Sequence, residues 1–157
     1  MHCNPDSALV ANQQQTNKAI TILVADDYPT SRYLLIEMLA EVFPMAKFFE
    51  AGDGNEVLIR LGQHSIDLLL LDVNMPRRSG LEVLPDVRVL FPNTRVIILS
   101  VHPEYLYATL ALEAGALAYL SKDNVPEELI PTVKSVLSAD AAESKPACNG
   151  ARAAGLL

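Results

Sequence analysis

Ile66-Asp67-Leu68-Leu69-Leu70-Leu71-Asp72 (IDLLLLD) decides the fold. Four consecutive leucines leave no polar face, so both sides of the segment must be covered. At this length a doubly buried strand fits better than a helix, which needs roughly ten residues or more. The sequence therefore predicts a strand from Ile66 to Leu71 that stops at the carboxylate of Asp72. A similar run precedes it: Ile20 to Ala25 (ITILVA) is apolar, rich in β-branched residues and broken by Asp26-Asp27-Tyr28-Pro29.

Helices and strands alternate outward from these two runs. Thr30 or Ser31 is placed to cap a helix through Glu41, with Leu34, Leu35, Met38, Leu39 and Val42 on one face. Lys47 to Ala51 (KFFEA) reads as a short strand, Gly52-Asp53-Gly54 as a turn, and Asn55 to Leu61 as a short helix. After Asp72, residues Met75 to Gly80 form a loop and Leu81 to Phe91 a helix that Pro85 interrupts. Arg95 to Leu99 (RVIIL) is a strand ending at Ser100. Pro103 to Ala114 is a helix stopped by Gly115, and Ala118 to Leu120 a strand ending near Lys122. Pro126 opens a last helix through Leu137.

Strand then helix, repeated five times with solid apolar strands, implies an α/β fold with a parallel sheet covered on both faces. Right-handed crossovers leave few topologies, and the doubly wound, flavodoxin-like order 2-1-3-4-5 fits best. This domain is expected over residues 19–138. Residues 1–18 are polar and read as a disordered leader, and residues 139–157 turn Ala-rich and read as a flexible tail or the start of a linker.

Composition narrows the function. The chain has 157 residues, half of them apolar, and a formal net charge of −7. That charge disfavours nonspecific nucleic-acid binding, because phosphates repel an acidic surface. Cys3 and Cys148 fall in the two tails, and His2, His64 and His102 are scattered, so no zinc spacing or structural disulfide is expected. No secretory signal and no membrane-length apolar run is present, so the expected location is cytoplasmic, away from membranes.

In open α/β sheets the ligand sits beyond the carboxyl ends of the strands. Those ends carry Asp26 and Asp27, Asp72, Ser100 and Lys122. Taken singly, each residue suits a solvated turn. Together they bring three carboxylates, a hydroxyl and an ammonium to one edge. Close carboxylates repel by roughly 4 kcal/mol per pair at about 4 Å. A hard divalent cation with oxygen ligands, Mg²⁺, relieves this, with Lys122 adding one more positive charge. A carboxylate can itself be a nucleophile and form an acyl phosphate. Asp72, on the central strand, is the candidate, with Ser100 placed to hydrogen-bond the phosphoryl group.

ILVADDYPTSRYLL, DLLLLDVNMPRRSGLEVL, RVIILS and EAGALAYLSKD together make Ile20 to Leu137 resemble the receiver domain of bacterial two-component response regulators. The resemblance implies that Asp72 is the phosphoacceptor and that Asp26 and Asp27 are the metal-binding pair. It implies that Asn74 offers its backbone carbonyl to Mg²⁺. Ser100 becomes the switch hydroxyl, Tyr119 the switch aromatic and Lys122 the phosphate-contacting lysine. The implied donor is a sensor histidine kinase. The implied output is a change in the face made by the fourth helix, fifth strand and fifth helix, which is also a possible homodimer contact. Lys122-Asp123 looks like the subfamily with helix-turn-helix output domains, making transcription regulation the implied purpose.

Three features depart from that pattern or stand apart from it. Pro85 and Pro131 fall inside expected helices, which should therefore kink or begin later. A helix-turn-helix module would need roughly 60 more residues, and the stretch after Ser138 has no amphipathic helix to supply them. Tyr105, Leu106, Tyr107, Leu110 and Leu112 are apolar around more than one face of the fourth helix, which suits either core packing or an interface.

Three rival readings remain at this point. A flavodoxin-like carrier would want hydroxyls and amides in the first loop, where Asp26 and Asp27 stand instead. An aspartyl-phosphate phosphatase would want a general acid beside Asp72, and the residue two positions on is Asn74. A receiver-like binding module that is never phosphorylated would not need the intact acid, hydroxyl and lysine set. The chain is otherwise expected to be non-enzymatic, beyond accepting and shedding its own phosphoryl group.

Overall fold

A computed structural model describes residues 19–102 and 105–139. The leader and the tail beyond Ala139 lie outside the described residues, as do Cys3, Cys148, His2, Pro103 and the side chain of Tyr105.

Five parallel strands form one sheet: β1 (Thr21–Ala25), β2 (Lys47–Ala51), β3 (Leu68–Asp72), β4 (Arg95–Ser100) and β5 (Ala118–Ser121). Their order is β2-β1-β3-β4-β5, as expected for the 2-1-3-4-5 arrangement. The helices are α1 (Pro29–Val42), α2 (Gly54–Gln63), α3 (Gly80–Leu90), α4 (Tyr105–Glu113) and α5 (Val125–Ser138), with a short 3₁₀ turn at Lys122–Asn124.

Strand periodicity divides the leucine run between two cores. Leu69 and Leu71 join Leu23, Val96 and Ile98 beneath Val57, Leu61, Val83, Val87 and Ala111 of α2, α3 and α4. Leu68 and Leu70 join Ile22, Val24, Ile97 and Leu99 beneath Leu35, Leu39, Leu129 and Val133 of α1 and α5. All four leucines are fully buried, which makes β3 the centre of the molecule. Each contributes roughly 1.5–3 kcal/mol of transfer free energy.

Several boundaries differ from expectation. β3 begins at Leu68; just before it, Asp67 accepts the Thr21 N–H on its carboxylate at 2.9 Å and the Arg95 N–H on its backbone carbonyl at 3.0 Å. α1 starts at Pro29 with no side-chain cap. Neither Thr30 nor Ser31 caps it; the Ser31 hydroxyl donates to Asp26 at 2.7 Å instead. Leu34 is 56% exposed and leaves the buried face to Leu35 and Leu39. α2 gains Gly54 at its start because Asp53 caps it, accepting from the Glu56 N–H at 2.9 Å.

The prolines do not delay the start of their helices. α3 and α5 run through Pro85 and Pro131, and each begins one residue earlier than expected rather than later. A reciprocal capping box between Ser79 and Glu82 holds the start of α3. Buried Val83, Leu84 and Val87 pin it on both sides of Pro85, and Leu129 and Val133 do the same around Pro131. This packing outweighs one lost hydrogen bond. α4 ends at Glu113, and Gly115 follows with φ 109°, the left-handed conformation that stops a helix.

Candidate functional site

The acidic edge assembles because three strands end there. β1 and β3 pair as far as Ala25 with Leu71, which sets Asp26 and Asp72 side by side one residue later. Asp26, Asp27 and Asp72 each present a carboxylate oxygen within 4.8 Å of the others. Asp26 and Asp72 are buried at 0% and 3% exposure, whereas Asp27 is exposed. At such separations each pair of charges repels by roughly 3–4 kcal/mol.

Lys122 reaches into this group from the end of β5. Its Nζ lies 2.6 Å from Asp26 Oδ2 and 3.3 Å from Asp72 Oδ2. Burial opposes its charge, but the hydrogen bond to Asp26 and the fields of Asp72 and Asp26 outweigh that and raise its pKa. Asp72 moves the other way from a normal carboxylate. Burial, only partly offset by Lys122 and reinforced by the Asp26 charge, pushes it up to about 6.

The three acids are not equivalent. Asp26 Oδ1 accepts the Tyr28 N–H at 2.9 Å, and Oδ2 accepts both Ser31 and Lys122. Arg32 donates to the Asp26 carbonyl at 2.6 Å, fixing the backbone there. Asp72 Oδ1 holds only a long bond, 3.3 Å, from the Asn74 N–H. Asp27 and Asp72 therefore keep the freest oxygens. With all three acids ionised against one ammonium, the cluster is short of two positive charges. This donor set, all oxygen and doubly negative in excess, fits a hard divalent cation such as Mg²⁺.

Ser100 and Tyr119 meet at the backbone of one residue, His102. The buried Ser100 hydroxyl accepts the His102 N–H at 3.0 Å, and the Tyr119 hydroxyl donates to the His102 carbonyl at 2.5 Å. The His102 ring stacks on Tyr107, with centroids 5.5 Å apart. Asn74 is exposed in the loop after β3. Asp26, Asp27, Asp72, Asn74, Ser100 and Lys122 thus lie at the same edge of the sheet, and Tyr119, inside β5, reaches the neighbouring loop through its hydroxyl.

Three contributors were not anticipated. Gly80 lets α3 pack against the site: a Cβ there would meet the Asp72 carbonyl oxygen at 2.1 Å. His102 acts through its backbone, which no side-chain pattern announces. Asp53 is 2% exposed and pairs with Arg77 at 2.5 Å, 24 positions away. Burial raises its pKa, yet the Glu56 N–H and the Arg77 guanidinium prevail and hold it below the usual range.

No helix among the described residues is long and apolar enough to cross a membrane. A family model of the response regulator receiver domain matches residues 22–134. Among curated proteins, the chain is 35% identical over 122 residues to the uncharacterized transcriptional regulatory protein YxjL of Bacillus subtilis, covering 78% of this chain and 56% of that one. It is 34% identical over 125 residues to the transcriptional activator protein ExaE of Pseudomonas putida, covering 80% and 58%. The chain spans about half the length of these relatives. Among solved structures, it resembles the receiver domain of the putative response regulator NarL from Mycobacterium tuberculosis, with TM-score 0.71 and 30% identity over 78% of this chain and 99% of that one. It also resembles the response regulator TrrA from Thermotoga maritima, solved in complex with Mg²⁺ and BeF, with TM-score 0.67 and 34% identity over 75% and 99%. The protein folded around this acidic edge belongs to the response regulator receiver domain family of two-component signalling, and its relatives are transcriptional regulators.

Proposed function

We propose that Asp72 accepts a phosphoryl group from a histidine-phosphorylated sensor kinase. The observation that carries this reading is the meeting of Lys122 with Asp26 and Asp72 at the sheet edge. A free Asp72 oxygen attacks phosphorus, the P–N bond to the donor imidazole breaks, and the imidazole leaves with the electron pair. Burial raises the proton affinity of Asp72 in the metal-free protein.

Asp27, Asp72 and the Asn74 carbonyl would hold Mg²⁺, with Asp26 adding its charge from behind. When bound, the ion supplies positive charge against the acids and the phosphoryl oxygens. Lys122 sits where it can follow those oxygens. TrrA, with its bound Mg²⁺ and BeF, is a precedent for this chemistry in a similar protein.

Phosphorylation adds about −1.5 to −2 charges and three acceptor oxygens beside Ser100. Its hydroxyl turns to them and gives up the His102 N–H. The His102 carbonyl remains tied to Tyr119, so the loop and the aromatic move together and reshape the face formed by α4, β5 and α5. Leu106, Leu110 and Leu112 of α4 are 65%, 45% and 36% exposed, a surface suited to a second copy or an output module. On the opposite face a groove of about 380 Å³ between α1 and α5, lined by Leu34, Met38, Val125 and Pro126 and ending at Lys122, suits the kinase. The chain works in the cytoplasm as the receiver unit of residues 19–138, without touching nucleic acid itself. Water at the exposed edge in time hydrolyses the acyl phosphate.

Incubation with a small phosphodonor and Mg²⁺, followed by intact mass, tests the reading. Wild type should gain one phosphoryl group and Asp72→Asn none. An equal gain on both proteins places the acceptor elsewhere.

A further inference from the structure

We infer that Arg77 and Asp53 form a tether that positions the loop between β3 and α3 for cation binding. This rests on the reading of the acidic edge given above. The loop covers residues 73–79 and carries Asn74, so whatever fixes its path fixes the Asn74 carbonyl.

Arg77 is the one non-glycine residue with positive φ among those described, at 63°. Around it the Arg78 N–H bonds back to the Pro76 carbonyl at 2.5 Å. A three-residue turn closed with positive φ at its centre is a strained arrangement for a side chain with a Cβ. Glycine or asparagine would take it more readily. Something must hold arginine there.

The contacts say what holds it. The Arg77 Nε and Nη2 donate to Asp53 Oδ2 at 2.7 and 2.5 Å. The Asp53 side chain is 3% exposed and its other oxygen is committed to the start of α2, through the Glu56 N–H. The anchor therefore cannot swing. The backbone completes the join: the Gly54 N–H donates to the Arg78 carbonyl at 3.0 Å. A Cβ at Gly54 would stand 2.8 Å from that carbonyl oxygen, so the two loops lie in direct contact.

At the far end of the same loop the Asn74 N–H bonds Asp72, and the Gly80 N–H bonds the Val73 carbonyl at 3.0 Å. The loop is thus held to Asp72 at its start, closed at its base by the Gly80–Val73 bond, and joined to the start of α2 in its middle. Arg77 and Asp53 are positioning residues: neither touches the cation, and both act through the loop that does.

The test uses the full chain and Mg²⁺ alone, with binding followed by calorimetry and stability by urea unfolding with and without the ion. Arg77→Gly suits the positive φ, so it removes the tether without imposing strain. Asp53→Asn retains an oxygen to cap α2. Each should weaken Mg²⁺ binding about tenfold, the lower end of the range for groups that orient metal ligands. Hydrogen exchange over residues 73–79 should quicken in the metal-free variants. Combining the two changes should cost little more than either alone, and Arg77→Lys should restore part of the affinity. A purely structural pair would lower stability equally with and without Mg²⁺ and leave its affinity within about twofold. That result overturns the tether. If wild type itself fails to bind Mg²⁺ and Asp72 still takes a phosphoryl group, the reading of the acidic edge falls first and the tether with it.

Discussion

Removing the charge of Asp72 should stabilise the metal-free protein. The folded carboxyl has a pKa of about 6 against 3.8 for a free aspartate. A folded-state pKa above the unfolded value means that the native protein holds its proton more tightly. Stability from this group is therefore present at low pH and is lost as pH rises from about 3.8 through 6. The full gap corresponds to about 3 kcal/mol. Solvent at the mouth of the pocket screens part of it, so about 1.5–3 kcal/mol is the expected range. Asp72→Asn keeps the shape and an oxygen for Lys122 but discards the charge. Urea unfolding in a chelator at about pH 7.5 should show the variant more stable by that amount, with most of the advantage gone near pH 4.5. Saturating Mg²⁺ should narrow or invert the ranking, because wild type binds the ion and the variant binds it weakly. A variant no more stable than wild type in chelator, or an advantage that ignores pH, would refute the argument that the pocket stores charge repulsion.

Other outcomes follow from the same geometry. Gly80→Ala would drive a Cβ to within 2.1 Å of the Asp72 carbonyl oxygen, and the unfolding midpoint should report a loss of about 3 kcal/mol or more. Protons compete with Mg²⁺ for Asp72, so calorimetric affinity should fall about tenfold between about pH 7 and pH 5, the sign following from a pKa of about 6. Tyr119→Phe removes the donor to the His102 carbonyl; it should cost about 1 kcal/mol and quicken hydrogen exchange at residues 100–102.

The fold was legible because its signals are local. Four leucines in a short run fit the middle of a two-faced sheet better than a helix, and β-α alternation with right-handed crossovers then leaves few orders. The meeting of Asp26, Asp27, Asp72 and Lys122 was legible for a related reason: strand ends are visible in sequence, and ligand sites in such sheets lie beyond them. What stayed hidden is set by side-chain choice in space. Ser31 had a capping role open to it and took the Asp26 carboxylate instead. Pro85 and Pro131 read as interruptions because helix propensity is counted locally, while the packing that overrides it comes from a sheet built elsewhere in the chain. Asp53 read as part of a turn, and nothing in Gly52-Asp53-Gly54 points to a partner in the loop after β3.

The position of β3 explains why the chemistry sits where it does. A strand buried on both faces must release its last side chain into a site walled by protein. The Asp72 carbonyl is covered by Gly80, and the strand's neighbours end in Asp26 and Ser100. Burial strips away most of the water that would stabilise the carboxylate, and the nearest compensation is a single ammonium shared with Asp26. The pocket is therefore least stable when empty and fully ionised. Any ligand that adds positive charge draws free energy from that instability. Ser100 and Tyr119 bond the N–H and the carbonyl of the same residue, His102. A rearrangement at Ser100 would therefore reach Tyr119 through His102 alone. If Lys122→Ala left the metal-free protein as stable as wild type at neutral pH, the compensation assigned to that ammonium would be wrong, and the coupling would need another source.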